Sequence, residues 1–334
     1  MIGKRIHYLR KQQNLSKQDF AQRSGITIQE LDKIETGNES NISNDNLISI
    51  ANQFRFSKPT DFISFMQLNG KKRRFRAYTL GLPKSGTVSL AGLFSKYRSG
   101  HEFMQWDTHQ TIIKYKNGTI TKNEFIDFIK YRDAMASLEM DSAHFNRHYI
   151  DILADEYPDA KFIYLIRDCY GWISSFINYF VHPHHEALQS KELKNGMPFD
   201  IPHNDLQSKK RLVEEFDNYL HIPLSYWAQE QKKILQLLPS DRSLVIRTCD
   251  ISKSIKKISS FIDIKPNTLN LERSHLNKSA YTINMLHQSE PEFLESQFQK
   301  YCGALMDRFY PGYTLQDYLN KKLLPSIQQE KLVV

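Results

Sequence analysis

The sequence predicts an α/β domain with a three-layer, mostly parallel sheet, preceded by a small all-α domain. Two strand–turn–helix units predict the α/β part. In the first, an apolar run over residues 75–80 leads through a Gly/Ser turn into a helical pattern, and in the second a buried strand over residues 160–166 leads into another helix. Residues 1–66, in contrast, show only short helical patterns, and a chain of 334 residues is long enough for two domains.

The N-terminal pattern consists of four short helices with recognisable start and stop signals. Ser16 is a favourable N-cap for the second helix, which runs through Arg23, and Thr27 is an equivalent cap for the third. The third helix stops at residues 36–38, and the fourth follows Ser43. This layout resembles the Cro/repressor type of helix-turn-helix domain. The matching residues are Leu9, Arg10, Lys11, Leu15, Ser16, Phe20, Ala21, Gly25, Ile26, Leu31, Lys33, Ile34, Glu35 and Gly37.

The resemblance implies that the third helix would enter the major groove of DNA and face base edges with its early residues. Gln29 suits adenine there, whereas Glu30 and Asp32 would face a polyanion. Residues 1–70 hold nine Lys/Arg and seven Asp/Glu, which is a weak electrostatic footprint for nucleic acid. DNA is thus one candidate partner, and the alternatives are a fold that serves dimerisation, giving a homodimer, or one that packs over the catalytic domain.

Composition and pattern divide the chain into four parts. The helix-turn-helix domain takes residues 1–68, a basic linker residues 69–74, the α/β domain residues 75–320 and a C-terminal tail residues 321–334. The four basic residues at 71–74 directly precede the first predicted strand, so we expect this linker to be solvated.

The turn after the first strand of the α/β part is the most informative segment of the chain. Residues 83–87 are Pro-Lys-Ser-Gly-Thr. Backbone N–H groups of such a turn point into a common concavity, the following helix adds partial positive charge and Lys84 adds a full charge, so the turn is predicted to hold a phosphate-like anion. It differs from the nucleotide-triphosphatase motif, because Lys84 precedes Gly86 by two residues and Val88 lacks a metal-binding hydroxyl.

The second strand–helix unit ends its strand in Arg167-Asp168 and carries Ser175 eight residues after the arginine. Together with the turn at 83–87, this spacing resembles sulfotransferases that use 3′-phosphoadenosine 5′-phosphosulfate (PAPS), and the resemblance covers residues 74–315. It implies that Arg167 and Ser175 hold the 3′-phosphate of the cofactor, which suits the forked donor set of an arginine. The residues that it implies for the 5′-phosphosulfate are Pro83, Lys84, Ser85, Gly86, Thr87 and Val88.

A third cofactor segment is implied near the end of the α/β domain. Sulfotransferases carry a basic loop there, and residues 272–279 occupy this place without the glycines that the family often has. By resemblance, Arg273 and Lys278 are the candidate ligands in this segment.

Sulfuryl transfer by in-line displacement needs groups that neutralise the leaving phosphate oxygen and a base that removes the proton of the acceptor. We predict that Lys84 stabilises the leaving group as a point charge. Several bacterial and carbohydrate sulfotransferases use a glutamate soon after the loop helix, and we expect its match, Glu102, to be the base, on a second strand next to the phosphate loop. His101 is the second candidate. Further candidates are Asp107, His109, Asp141 and His144.

Composition is consistent with an anionic ligand and suggests neither a metal site nor a membrane span. The net charge is +8, which a heavily anionic cofactor explains in part. The three cysteines lie far apart, and the histidines at 182–185 have no further Cys or His at ligand spacing, so we expect no metal. No apolar run reaches the ~18 residues of a membrane helix and no secretory leader opens the chain, so we expect a cytoplasmic enzyme.

The sequence thus predicts transfer of a sulfuryl group from PAPS to a hydroxyl or amine of a small-molecule, lipid or sugar acceptor. Two alternatives stay open. One is a P-loop kinase or nucleotide triphosphatase, which the position of Lys84 disfavours. The other is a DNA-binding regulator whose C-terminal domain senses a nucleotide without turnover.

Overall fold

The structure is a computed structural model whose described residues form two compact units. Residues 1–76 and 97–141 make up the first unit, and residues 77–96 and 142–334 the second. The first unit therefore includes a segment from inside the predicted α/β domain. The described residues are 15–37, 42–53, 73–181, 215–274 and 285–322, with Gly3, Ile6, His7, Arg10 and Lys11.

Helices flank the strands along most of the described chain. The strands are β1 (Ala77–Leu80), β2 (Ser99–His101), β3 (Met140–Ser142), β4 (Lys161–Ile166) and β5 (Ser243–Arg247). The helices are α1 (Lys17–Ser24), α2 (Ile28–Thr36), α3 (Asn44–Gln53), α4 (Thr87–Leu93), α5 (Gln105–Lys116), α6 (Lys122–Ala136), α7 (Ile150–Glu156), α8 (Cys169–Val181), α9 (Phe216–Tyr219), α10 (His221–Leu237), α11 (Ile255–Ile262), α12 (Pro291–Phe309) and α13 (Leu315–Lys322).

Helices α1 to α3 confirm the N-terminal start and stop signals. Ser16 accepts a hydrogen bond from a backbone N–H in the first turn of α1. Thr27 and Glu30 form a reciprocal capping box at the start of α2. The two helices end at Gly25 and Gly37, where the sequence places their stops.

The three N-terminal helices share one apolar core with residues just before α5 and with residues at and after the end of α6 in the same unit. The contributing side chains of the helices are Phe20, Ala21, Leu31, Ile34, Leu47, Ile50 and Ala51. The contributing side chains of the later segment are Phe103, Met104, Met135, Ala136 and Leu138, each at most 8% exposed. The helix-turn-helix fold thus buries its apolar faces partly on residues that come after the loop and its helix in the sequence.

The basic linker before β1 pairs with acidic side chains, and its predicted solvation is wrong for Arg73, whose side chain is 16% exposed, but not for Arg74, whose side chain is 57% exposed. Arg73 Nη2 lies 2.9 Å from Asp133 Oδ1. Arg74 donates from both Nε and Nη2 to the Glu139 carboxylate at 2.7 Å, and the Glu139 side chain is fully buried. These charges meet carboxylates about 60 residues away in the sequence, so local composition gave no indication of the pairing.

The five strands form a parallel sheet in the order β2-β3-β1-β4-β5, which confirms the predicted mostly parallel α/β sheet. In its centre, Leu80 at the end of β1 lies opposite Tyr164, and Ile166 at the end of β4 lies opposite Arg247. Carboxyl ends of parallel strands meet at the same edge of a sheet, so the segments that follow β1, β4 and β5 emerge together. The strand β3 lies between β2 and β1 in the sheet.

No helix in the described ranges combines the length and the apolar character needed to cross a bilayer.

Glu139 contributes a measurable part of the stability of the first unit. Burial raises the pKa of its carboxyl, but hydrogen bonds from Arg74 and from the Arg98 backbone outweigh burial and lower the pKa to about 2. Because the folded pKa lies below the unfolded value of 4.5, the resulting stabilisation of about 3 kcal/mol is present above the unfolded pKa and lost as the pH falls towards 2.

We expect Glu139→Gln to lower the thermal midpoint at neutral pH and to flatten its fall between about pH 5 and pH 2. Thermal unfolding followed by circular dichroism across this range measures both effects. Asp127→Asn, at an exposed position on α6, is the matched control and should keep the wild-type profile. A Glu139→Gln profile parallel to that of the wild type would contradict the assignment.

Candidate active site

The loop between β1 and α4 is a tight turn whose backbone conformation fits anion binding. Lys84 (φ 67°) and Gly86 (φ 95°) both have positive φ, and Gly86 is the N-cap of α4. A Cβ at Gly86 would lie 3.0 Å from Ile251 Cδ1 and 3.1 Å from Thr248 Cγ2, so the position is crowded as well as left-handed. Because α4 spans only seven residues, we expect the loop N–H groups and the Lys84 charge to contribute more to anion binding than the dipole of α4 does.

Two side chains of the Arg167–helix unit bind consecutive carbonyl groups of this loop. Trp172 Nε1, on α8, donates to the Pro83 carbonyl at 2.9 Å. Arg167 Nη1 donates to the Lys84 carbonyl at 2.9 Å. The two motifs that the sequence singles out are therefore in direct contact.

Two hydroxyl groups bind further carbonyls of the same stretch. Thr248 Oγ1, directly after β5, donates to the Ser85 carbonyl at 2.7 Å. Ser142 Oγ, the last residue of β3, donates to the Thr87 carbonyl at 2.7 Å. Side chains from four places in the second unit thus satisfy the carbonyl groups of the loop and of the first residue of α4.

Arg167 is anchored at the start of α8 as well as on the loop. Asp168 Oδ1 accepts the Gly171 N–H at 2.6 Å and so caps the first turn of the helix. A Cβ at Gly171 would lie 3.2 Å from Arg167 Nε, so the absent side chain leaves room for the guanidinium. Ser175 lies on the same helix at a half-buried position.

The buried Ser85 hydroxyl makes the loop suitable for binding an anionic group. Ser85 is fully buried, and its Oγ has no hydrogen-bond partner among the described residues. A buried hydroxyl without a partner costs free energy, about 1–3 kcal/mol, unless a ligand or water satisfies it. A phosphate or sulfuryl oxygen is an acceptor of the kind that this donor lacks.

Glu102 and His101 belong to the first unit, directly at the end of β2. His101 Nε2 lies 3.6 Å from Glu102 Oε1, with the two side chains 29% and 18% exposed. Glu102 (φ 52°) and Met104 (φ 51°) have left-handed backbones, which are unfavourable for residues with a Cβ. Two such residues within one turn mark a constrained segment, and constrained backbone is frequent at functional sites.

A buried ion pair fixes the backbone between these two residues. Arg132 Nε donates to the Phe103 carbonyl at 3.0 Å. The Arg132 guanidinium also pairs with the Asp141 carboxylate, and both residues are only 4% exposed. Asp141, one of the further base candidates, is therefore occupied by an arginine.

His144, another of the further base candidates, lies in the same unit as the loop and two residues after Ser142. It is 7% exposed, and its carbonyl accepts a hydrogen bond from Arg147 Nη1 at 2.6 Å. Arg147 in turn binds the Tyr226 hydroxyl at 2.9 Å and the Glu230 carboxylate at 3.2 Å. The backbone at His144 is thus fixed by a buried network.

Two stretches of the chain match known protein families. Residues 78–274, more than half of the chain, match a family described as a sulfotransferase domain. The chain belongs to the sulfotransferase family. Residues 6–61 match a helix-turn-helix family, so this sulfotransferase carries both of the domains that the sequence predicts. The family match decides against the kinase alternative.

Three solved structures align with this sulfotransferase at low similarity. The sulfotransferase STF9 from Mycobacterium avium is 12% identical, with a TM-score of 0.45, and the alignment covers 88% of this chain and 95% of that one. The sulfotransferase domain of the Synechococcus PCC 7002 olefin synthase is 16% identical, with a TM-score of 0.34 and coverages of 78% and 98%. The sulfotransferase domain from the curacin biosynthetic pathway is 18% identical, with a TM-score of 0.29 and coverages of 76% and 99%. Among curated proteins, none matches this sequence.

The predicted third cofactor segment is described only in part. Arg273 ends a short 3₁₀ helix, Leu271–Arg273, and is exposed. The preceding Asn270 N–H donates to the Leu93 carbonyl at 2.8 Å, which attaches this segment to the C-terminal end of α4. Lys278 lies outside the described residues, as do the histidines at 182–185.

Trp172, Thr248 and Ser142 are the site residues that sequence reasoning missed. Thr248 and Ser142 stand at strand ends, which is a weak positional signal for a residue near the loop. Trp172 gives no such signal, because a tryptophan in an apolar helix is expected in the core.

Proposed function

We propose that this sulfotransferase transfers a sulfuryl group from PAPS to a hydroxyl or amine of an acceptor and releases 3′-phosphoadenosine 5′-phosphate (PAP). The observation that carries the proposal is the contact between the Lys84 loop and the Arg167 unit. One cationic turn and one guanidinium at the same edge of a parallel sheet suit a ligand with phosphates at both ends.

Two groups of residues are proposed to bind the two ends of PAPS. Pro83, Lys84, Ser85, Gly86, Thr87 and Val88 would hold the 5′-phosphosulfate, and the buried Ser85 hydroxyl supports this assignment. Arg167 and Ser175 would hold the 3′-phosphate, with Arg273 and Lys278 as further ligands.

When bound, PAPS supplies an activated sulfuryl group that is displaced in line from its 5′-phosphate. Lys84 is proposed to neutralise the charge that develops on the leaving oxygen, where a fixed cation is most effective. The buried loop contacts hold the reacting end in one orientation and so reduce the entropy cost of the transfer.

Glu102 is the proposed base, since the resemblance implies it and its constrained backbone supports a functional position. His101, 3.6 Å away, is a second candidate. One observation favours His144 instead: it belongs to the unit that contains the loop and follows Ser142, whose hydroxyl binds the Thr87 carbonyl.

We propose duplex DNA as a partner of the N-terminal helices, on the support of the helix-turn-helix match. The acidic residues that disfavour DNA in the sequence are engaged locally, Glu30 in its capping box and Asp32 with Lys17. A gel shift with the DNA upstream of its own gene tests this, and binding no tighter than that to non-specific DNA at moderate salt would refute it.

The first prediction from the proposed function concerns Lys84. Lys84→Ala should lower turnover by about 10²–10³-fold and weaken PAP binding much less, because the charge acts mainly in the transition state. Transfer of labelled sulfuryl from PAPS to an acceptor panel gives turnover, and calorimetry with PAP gives affinity. Lys253→Ala, at an exposed position, is the matched control.

Turnover of Lys84→Ala equal to that of the wild type would contradict this role. A wild-type protein that neither binds PAP nor accepts PAPS as donor would refute the proposed function itself.

Arg167 is tested with two nucleotides that differ by one phosphate. If Arg167 holds the 3′-phosphate, Arg167→Ala should weaken PAP binding by about 100-fold and binding of adenosine 5′-phosphate far less. Arg308→Ala, on the exposed face of α12, controls for the loss of one positive charge. Equal losses for both nucleotides would show that Arg167 acts only through the Lys84 carbonyl.

Glu102 and His144, two of the three base candidates, make opposite predictions. If Glu102 is the base, Glu102→Gln should abolish most turnover, leave PAP binding intact and remove the acidic limb from the pH profile of kcat. His144→Asn should keep that limb. The reverse result would overturn Glu102 and assign the proton to His144, and the two pH–rate profiles measure the difference.

A further inference from the structure

The four hydrogen bonds described above join the rest of the second unit to carbonyl groups of the loop and of the first residue of α4, not to N–H groups. Pro83, Lys84, Ser85 and Thr87 each offer a carbonyl to a side chain from outside the loop. None of the four donors comes from the loop itself. Each of these bonds also fixes the direction of the N–H group that belongs to the same peptide unit as the bonded carbonyl.

We propose that Trp172 and Thr248 are positioning residues, which orient the loop N–H groups towards the 5′-phosphosulfate by holding the loop carbonyls from behind. The proposal rests on the proposed function, because that function names the ligand. It goes beyond that function by assigning the binding geometry of the loop to residues that never touch the ligand.

The direction follows from the planarity of the peptide group. In a trans peptide, the C=O of one residue and the N–H of the next point in opposite directions. The bond from Trp172 to the Pro83 carbonyl therefore points the Lys84 N–H away from Trp172. In the same way, the bond from Thr248 to the Ser85 carbonyl points the Gly86 N–H away from Thr248.

The same geometry applies at the start of α4. The Thr87 carbonyl is held by Ser142, so the Val88 N–H points away from β3. The Ser85 N–H, in contrast, closes the turn on the Leu82 carbonyl at 3.2 Å. Lys84, Gly86 and Val88 are thus the residues whose N–H groups these bonds turn away from the respective donors, and all three were implied as phosphosulfate ligands.

The donors are themselves rigid, which the proposed role requires. Trp172 is fully buried, and its ring stacks on Phe176 at a centroid distance of 4.7 Å. Thr248 Oγ1 also lies 3.1 Å from the Ile166 carbonyl, so it ties the loop to the end of β4. A loop that contains left-handed Lys84 and Gly86 would otherwise relax to other turn conformations.

The test removes the indole donor and keeps an aromatic ring. We expect Trp172→Phe to weaken PAP binding by about tenfold, which corresponds to 1.4 kcal/mol. Trp227→Phe is the matched control, because Trp227 is also fully buried and its Nε1 has no partner among the described residues. Without ligand, both variants lose packing, and Trp172→Phe in addition leaves the Pro83 carbonyl without its donor, so Trp172→Phe should lose more thermal stability. Trp227→Phe should keep wild-type affinity.

A second nucleotide separates positioning from general packing. Adenosine 3′-phosphate has no 5′-phosphate and does not use the loop, so Trp172→Phe should bind it as the wild type does. In steady state, the loss should appear as a higher KM for PAPS, with a smaller change in kcat.

Thr248 gives an independent test that does not depend on the folding of Trp172→Phe. Thr248→Val keeps the shape beside Gly86 and removes the hydroxyl, whereas Thr248→Ser keeps the hydroxyl. We expect Thr248→Val to weaken PAP binding by about tenfold and Thr248→Ser to restore most of it.

The outcomes distinguish this inference from the proposed function. If the wild type does not bind PAP, the proposed function fails. If the wild type binds PAP and Trp172→Phe and Thr248→Val bind it equally well, the inference is overturned. Equal losses in Trp172→Phe and Trp227→Phe, or equal losses for both nucleotides, would overturn it too.

Discussion

The register of three parallel strands is the constraint on which the site depends. β1 ends opposite Tyr164, two residues before the end of β4, while the last residues of β4 and β5 lie opposite each other. Arg167 and Thr248 therefore leave the sheet at the same level, and the loop, which leaves β1 earlier, has the length to reach that level. A slip of one residue displaces a strand by about 3.3 Å, more than a hydrogen bond tolerates.

The sequence was sufficient to predict the parts of the site that are local. The turn at 83–87, the strand that ends in Arg167 and the caps of α1 and α2 depend on residue types within a few positions, so pattern alone identified them. The roles of Trp172 and Thr248 depend on which backbone carbonyl lies beside them in the folded sheet. The sequence carries no signal for a hydrogen bond from a side chain to a distant backbone group. It also cannot distinguish a buried tryptophan whose N–H donates a hydrogen bond from one whose N–H does not.

Predictions about charge failed where long-range pairing overrode local character. The basic run before β1 was expected to be solvated, yet Arg73 is largely shielded from solvent and pairs with Asp133. Arg74 stays exposed but binds the buried Glu139 carboxylate, 65 residues later in the chain. A buried carboxylate is favourable only when donors surround it, and Glu139 receives them from the backbone as well as from arginine.

The shared core of the first unit gives the helix-turn-helix domain a role that does not require DNA. Phe103 and Met104, which directly follow Glu102, pack among the same side chains as α1 to α3. Arg132 holds the Phe103 carbonyl from the other side, so Glu102 sits on a backbone that is fixed at its next two residues. Close-packed cores transmit displacement, so a change in the packing of the N-terminal helices would be felt at the Glu102 carboxylate. An accessory domain fused to an enzyme can thus support, through packing alone, the geometry of the segment that carries the proposed base.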